Sequence, residues 1–190
     1  MGKSAIVRQL LEQSRFLAFS AEELKKLDQR YRSKKNVFVR FGYQWSDGQG
    51  SRRHLSIALR NRLRELFGEV SDSTGRSDYQ LNYSSLRAQA GSPVMHRIIF
   101  DILSADLLFF DVTHINGNVF FELGVAYAAN KNLFLLHEGI ARKMPSDLAG
   151  LTYCNYSFHA EILIDSNSES DIKAAMKTIL KNKIQASSRR

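Results

Sequence analysis

The 190-residue chain reads as a three-layer α/β domain with a mostly parallel central sheet, preceded by an N-terminal helical arm. Three observations predict this class. Short apolar runs at Val37–Phe41, Leu107–Phe110 and Asn132–Leu136 alternate with longer helical patterns, the order that a parallel sheet with crossover helices requires. Leu107 to Phe110 is four large apolar residues without alternation, as in a strand covered on both faces. The helical periodicity before residue 36 ends in a basic run, which sets it apart from the remainder of the chain.

In order, Ile6, Val7, Leu10, Leu11 and Leu17 have helical spacing over residues 3–18. Ser20 and Glu23 form a capping box and Phe19 with Leu24 a hydrophobic staple, so a second helix starts there and runs toward Gln29. Arg30 to Lys35 reads as a solvated basic linker. Residues 1–35 are therefore the arm, 36–185 the α/β domain and 186–190 a disordered tail.

Val37–Phe41 is the first strand, closed by Gly42. The loop Gly42–Ser51 is rich in glycine and polar residues and opens a helix from about Arg52 to Phe67, with Leu55, Leu59, Leu63 and Leu66 toward the core. Strand, glycine-rich loop and helix form an arrangement in which backbone N–H groups hold phosphate, although neither standard phosphate fingerprint is present. Gly42, Ser46 and Arg53 are the candidates for such contacts, with Arg52 also in reach of a bound phosphate, while the helix arginines in the main read as a solvated face. Residues 69–92 show no periodicity and read as a long polar rim or lid. A helix starts about Pro93, and the strand Leu107–Phe110 comes after it. Asn118 is the expected N-cap of the next helix, which starts at Val119. Beyond the strand Asn132–Leu136, His137-Glu138-Gly139 reads as a loop, Tyr153–Phe158 as an edge strand, and Ser168–Lys183 as a last amphipathic helix.

The net charge of +8 lies at the ends: residues 1–35 and 170–190 each carry +5, whereas 36–169 carry −2. A basic nucleic-acid-binding domain is therefore disfavoured. No apolar run is long enough to span a bilayer, and the first residues resemble neither a secretory signal nor a myristoylation site. Cys154, the single cysteine, excludes an internal disulfide, fits the cytoplasm, and reads as a small buried hydrophobe.

The chemistry concentrates at Glu122, the only formally charged side chain between Val112 and Asn130. In an open α/β sheet the site lies beyond the carboxyl ends of the strands. Asp111, His114, Asn116 and Asn118 fall there, between the strand and the helix that carries Glu122. With Val119 as first helical residue, the capping-box place is Phe121, so Glu122 is not a capping glutamate. A carboxylate among Phe120, Phe121, Leu123 and Val125 is costly to bury unless it is paired or faces a cleft.

The pattern I-x3-L-S-A-D-x4-D-V-T-x2-N-x-N-V-x2-E-L-G-x-A-x2-A-x-K, from Ile99 to Lys131, resembles the nucleoside 2-deoxyribosyltransferase-like family, whose fold is similar to that of TIR-type domains. The resemblance implies a flavodoxin/Rossmann-like fold and a glutamate nucleophile attacking the anomeric carbon, which by motif position is Glu122. It implies that Asp111 and Asn116 hold hydroxyls or base edges and that Tyr43, in the first loop, orients the carboxylate. Gly124 would let the helix pack closely on the sheet. The implied activity is cleavage of an N-glycosidic bond in a nucleoside monophosphate or NAD, with no cofactor and no metal, by a homo-oligomer. The turn holds Asn116 and Asn118 where deoxyribosyltransferases tend to place an acid, so hydrolysis or simple nucleotide binding is favoured over base exchange. The rival expectation is a non-catalytic nucleotide-sensing or TIR-like signalling module.

Overall fold

The computed structural model describes residues 19–32, 35–44, 51–86, 94–114, 116–139, 151–159 and 161–188. The helix expected over 3–18, Ser46 with the rest of 45–50, Pro93, and the connection 140–150 lie outside them. The elements are α1 (Ala21–Arg32), β1 (Asn36–Gly42), α2 (Ser51–Ser73), β2 (Gln80–Ser85), α3 (Val94–Ser104), β3 (Leu107–Asp111), α4 (Gly117–Ala128), β4 (Leu133–Glu138), β5 (Tyr153–Phe158), β6 (Ile162–Ile164) and α5 (Ser166–Ser188).

The six strands form one sheet in the order β2-β1-β3-β4-β5-β6, parallel except for β6. Alternation along the strands sorts the core into two layers. Val37, Val39, Phe41, Leu107 and Phe109 pack with Leu55, Leu59 and Leu63 of α2 and with Ile172 and Met176 of α5. Leu108, Phe110 and Leu135 pack on the opposite face with Ile98 and Ile102 of α3 and with Val119, Leu123 and Ala126 of α4. The expected three-layer α/β architecture is thus observed, and its strands are apolar on both sides because both sides are covered.

The structure revises several boundaries. The polar stretch 69–92 contains the last turn of α2 and the edge strand β2, which pairs in parallel with β1. Tyr153–Phe158 is not an edge, because β6 pairs antiparallel with it. Helix α5 extends to Ser188 into the stretch expected to be a disordered tail, and Lys183 ion-pairs with Asp106 at 3.0 Å. The arginine face of α2 is not simply solvated: Arg62 bonds Glu169 of α5 through Nε at 2.7 Å, and Lys173 pairs with Glu69 at 2.5 Å.

Helix α1 starts as expected: Ser20 N–H donates to Glu23 Oε2 at 2.8 Å and Glu23 N–H to Ser20 Oγ at 3.2 Å. Its apolar side, Leu27 with Phe19 and Leu24, packs on Ile99, Phe100 and Leu103 of α3. Arg30 is not a solvated linker residue. It bonds Asp101 at 3.0 Å and Ser104 at 2.8 Å, and its guanidinium lies 4.9 Å over the Phe100 ring. Asp101 also faces the buried Arg40 at 3.8 Å and Arg97 at 3.3 Å. Burial is the largest influence on Arg40 and lowers its pKa to about 10, against the opposing pull of Asp101.

Candidate functional site

The strand order decides where a ligand can sit. The crossover from β1 to β2 runs through α2 on one face, and that from β2 to β3 through α3 on the other. Strand order therefore reverses between β1 and β3, and in such sheets the binding crevice opens beyond the carboxyl ends at that reversal.

Glu122 stands at this junction. Gly42 ends β1 opposite Phe110 of β3. A Cβ on Gly42 would meet Phe110 Cδ1 at 2.6 Å and Glu122 Oε2 at 2.7 Å. Only glycine leaves that space, so the carboxyl rests against the backbone of β1. Glycine is needed here for close approach, not for an unusual φ. Gly124, expected to provide close packing, is exposed and has open space around its Cβ position.

Helix α4 presents this carboxyl from its second turn. Asn116, not Asn118, is the N-cap: its side-chain oxygen accepts from the N–H groups of Asn118 at 3.0 Å and Val119 at 3.3 Å. Both asparagines suit a cap, and the upstream one wins because helical backbone already begins at Gly117. Glu122 is then the sixth helical residue and the capping-box place falls on Val119, so the carboxyl still plays no capping role. Asn130, with φ 50°, closes the helix end, and Lys131 donates to the carbonyls of Leu103 and Ala105 at the end of α3. The lysine of the sequence pattern therefore joins α4 to α3 structurally.

The Glu122 residue is 7% exposed. Among the described residues no hydrogen bond or ion pair reaches its carboxyl, and burial alone pushes its pKa up to about 7. A buried acid without a counter-charge holds unused electrostatic capacity for a cation.

Among the described residues expected at the site, Gly42 is the one that the structure places against the Glu122 carboxyl. Tyr43 stacks on Phe41 at 5.1 Å in the α2 layer, the face of the sheet away from Glu122. It does not orient the carboxylate, because strand alternation turns residues 41 and 43 together and Gly42 the other way. Asp111 is buried and continues the face of Leu107 and Phe109. Its Oδ1 accepts from Thr113 Oγ1 at 2.6 Å, Thr113 N–H at 3.1 Å and Tyr156 Oη at 3.4 Å. Glu138 N–H in turn donates to Thr113 Oγ1 at 3.0 Å, so Asp111 ties together the ends of β3, β4 and β5. Asn116 uses its oxygen in the cap, Asn118 and His114 are exposed on the rim, and Arg53 is exposed in the first turn of α2.

His137, expected in a loop, instead belongs to β4. It is buried, and its Nδ1 has no partner among the described residues. It comes two residues after Leu135 on the α4 face, so it shares the Glu122 side of the sheet. Its position at the carboxyl end of a buried strand was the available signal. A groove of about 620 Å³ between α2 and β6, lined by His54, Arg62, Glu65, Leu163 and Glu169, borders none of the expected site residues. Among the described residues no cluster of His, Cys, Asp and Glu could hold a metal ion, and no helix is long and apolar enough to cross a membrane. Cys154 is buried, which raises its pKa to about 12.

No family model matches the chain, and no curated protein matches it. Among solved structures it is similar to the rubredoxin oxygen:oxidoreductase of the anaerobe Desulfovibrio gigas, at 14% identity and a TM-score of 0.39. That likeness covers 79% of this chain and 37% of the other, so the chain spans little more than a third of that protein's length. A likeness so loose carries no functional weight.

Proposed function

We propose that the chain cleaves the N-glycosidic bond of a nucleotide-type substrate, a nucleoside monophosphate or NAD, with Glu122 as nucleophile. One observation carries this reading: a buried carboxyl with no counter-charge among the described residues sits at the β1/β3 reversal of the sheet, against the bare backbone of Gly42. The likeness of Ile99–Lys131 to nucleoside 2-deoxyribosyltransferase-like sequences supports it from the side of sequence.

Departure of the base leaves positive charge on the sugar ring and its anomeric carbon. A carboxylate already stripped of water and of counter-ions stabilises that charge more than it stabilises the neutral ground-state sugar, which is the differential binding that catalysis needs. A bond forms from a Glu122 oxygen to the anomeric carbon as the bond to the base nitrogen breaks. The electron pair leaves with the base, and water then hydrolyses the sugar ester. With a pKa near 7 the carboxylate form grows as pH rises through neutrality, and a cationic nicotinamide-type substrate would draw it further toward ionisation. The exposed rim residues Arg53, His114 and Asn118 are available for phosphate and base.

A second reading, nucleotide binding without turnover in a TIR-like sensing module, draws support from Asp111 and Tyr43. Both face away from Glu122, so the two groups expected to assist it are engaged elsewhere. The test is base release from NAD and from a panel of nucleoside monophosphates, measured by chromatography with the native chain and with Glu122→Gln. The enzyme reading expects release that falls by at least ~100-fold in the variant. Binding without release from any of them supports the sensor.

A further inference from the structure

Strand β6 leaves one side of the sheet open. It is the last strand in the sheet order, paired with β5, and among the described residues no strand lies beyond it. Asp165 N–H donates to the Asn155 carbonyl at 3.2 Å, and His159 N–H to that of Glu161 at 3.4 Å. Bonded pairs recur at every second residue along an antiparallel ladder, so residues 161, 163 and 165 turn their main-chain groups toward β5. The N–H and C=O groups of Ile162 and Ile164 therefore point outward, with the spacing that a further ladder requires.

This edge borders the groove of about 620 Å³ beside α2, a volume in the range of ligand sites. Ile57 and Ala58 supply apolar surface on its α2 side, and Ile57 is 39% exposed. The rim is acidic. Glu65, Glu161 and Glu169 line it with one guanidinium, Arg62, which already bonds Glu169 at 2.7 Å and Glu65 at 2.8 Å. Glu161 is exposed, and among the described residues no ion pair engages it. His54 aside, the groove is thus negative by two charges on a chain whose net charge is +8.

We infer that β6 receives an extended, basic segment of a partner protein as a seventh strand, with alternate apolar side chains of that segment in the groove. Main-chain hydrogen bonds hold an added strand, and the surface beside it selects the side chains. Residues opposite Ile162 and Ile164 stand on the α2 face of the sheet, beside Ile57. Residues at the ends of the segment lie opposite Glu161 and Asp165, two exposed acids, where lysine or arginine is favoured. The same two acids argue against a second copy of the chain. Antiparallel self-pairing about Leu163 would set each Glu161 against the other copy's Asp165, like charges directly opposite. The inference does not depend on Glu122, since the groove borders none of the residues expected at that site.

The test is an NMR titration of the full, isotope-labelled chain with the acetylated and amidated peptide Lys-Val-Thr-Val-Lys. The expected result is saturable shifts at the amides of Ile162 and Ile164 and at Ile57. Replacing both valines of the peptide by N-methylvaline, which removes the donors that face β6, should weaken binding at least ~10-fold, and so should glutamate in place of both lysines. Glu161→Lys, a change at an exposed position, should weaken it by a similar factor. Shifts that survive N-methylation, shifts confined to other surfaces, or no shift at all overturn the inference. Broadening of the β6 signals that grows with protein concentration in the absence of peptide overturns it in favour of a second copy.

Discussion

At the scale of single residues the proposed chemistry turns on Glu122 and Gly42. Burial raises the Glu122 pKa from 4.5 to about 7, so the folded protein holds this proton more tightly than the unfolded chain. The stability linked to that proton is complete below about pH 4.5 and is lost as pH rises through 7. Glu122→Gln, which cannot ionise, should therefore match the native chain near pH 4 and exceed it at pH 8, by about 3 kcal/mol at most. Urea unfolding at the two pH values measures this, and equal stability at pH 8 would show that the carboxylate has a partner after all. Gly42→Ala places a methyl where Phe110 and the Glu122 carboxyl now sit. It should cost about 1–3 kcal/mol of stability, as overpacking does. It should also reduce base release by roughly 10- to 100-fold through displacement of the carboxyl.

Among the elements, α1 is joined to the domain by charge as well as by apolar packing. Asp101 is buried among Arg30, Arg40 and Arg97, and removing it leaves the buried Arg40 guanidinium without the carboxylate that pulls on it most, held by the carbonyls of Val39 and Asn82. Asp101→Ala is expected to cost about 3–5 kcal/mol, the usual consequence of breaking a buried pair on one side. Chemical denaturation of the variant checks it, and a loss below 1 kcal/mol would mean that water already reaches the cluster. Arg30 also marks a limit of what sequence can convey. A basic run looks solvated unless its acid partner is known, and that partner lies 71 residues away. The buried parallel strands were legible because apolar runs such as Leu107–Phe110 allow little else. β2 was not, since Gln80–Ser85 is polar and owes its strand state to pairing with β1. β6 has only three residues, too short for a period to register. The N-cap of α4 was misplaced by two residues because Asn116 and Asn118 are equivalent by type, and only backbone geometry separates them.

For the whole molecule, the sheet divides the work between its faces. The α2 and α5 side closes a continuous apolar core and uses Asp111 and Tyr43 within it or at its rim. The α3 and α4 side carries the uncompensated carboxyl at the reversal of strand order and the buried His137 on the same face. The isolation of Glu122 as a charge could be read from sequence, but which side chains share its face could not. That depends on whether a residue falls at an odd or even place in its strand, and a one-residue difference exchanges the faces. All of the proposed chemistry depends on a covalent bond between Glu122 and the sugar of a nucleotide. Intact-protein mass spectrometry, after an acid quench during turnover of the substrate whose base is released, detects that bond. The expected result is a mass increase equal to the sugar moiety left after base loss, mapped by peptide sequencing to Glu122 and absent from Glu122→Gln. An adduct on another residue, or base release undiminished in Glu122→Gln, would contradict it.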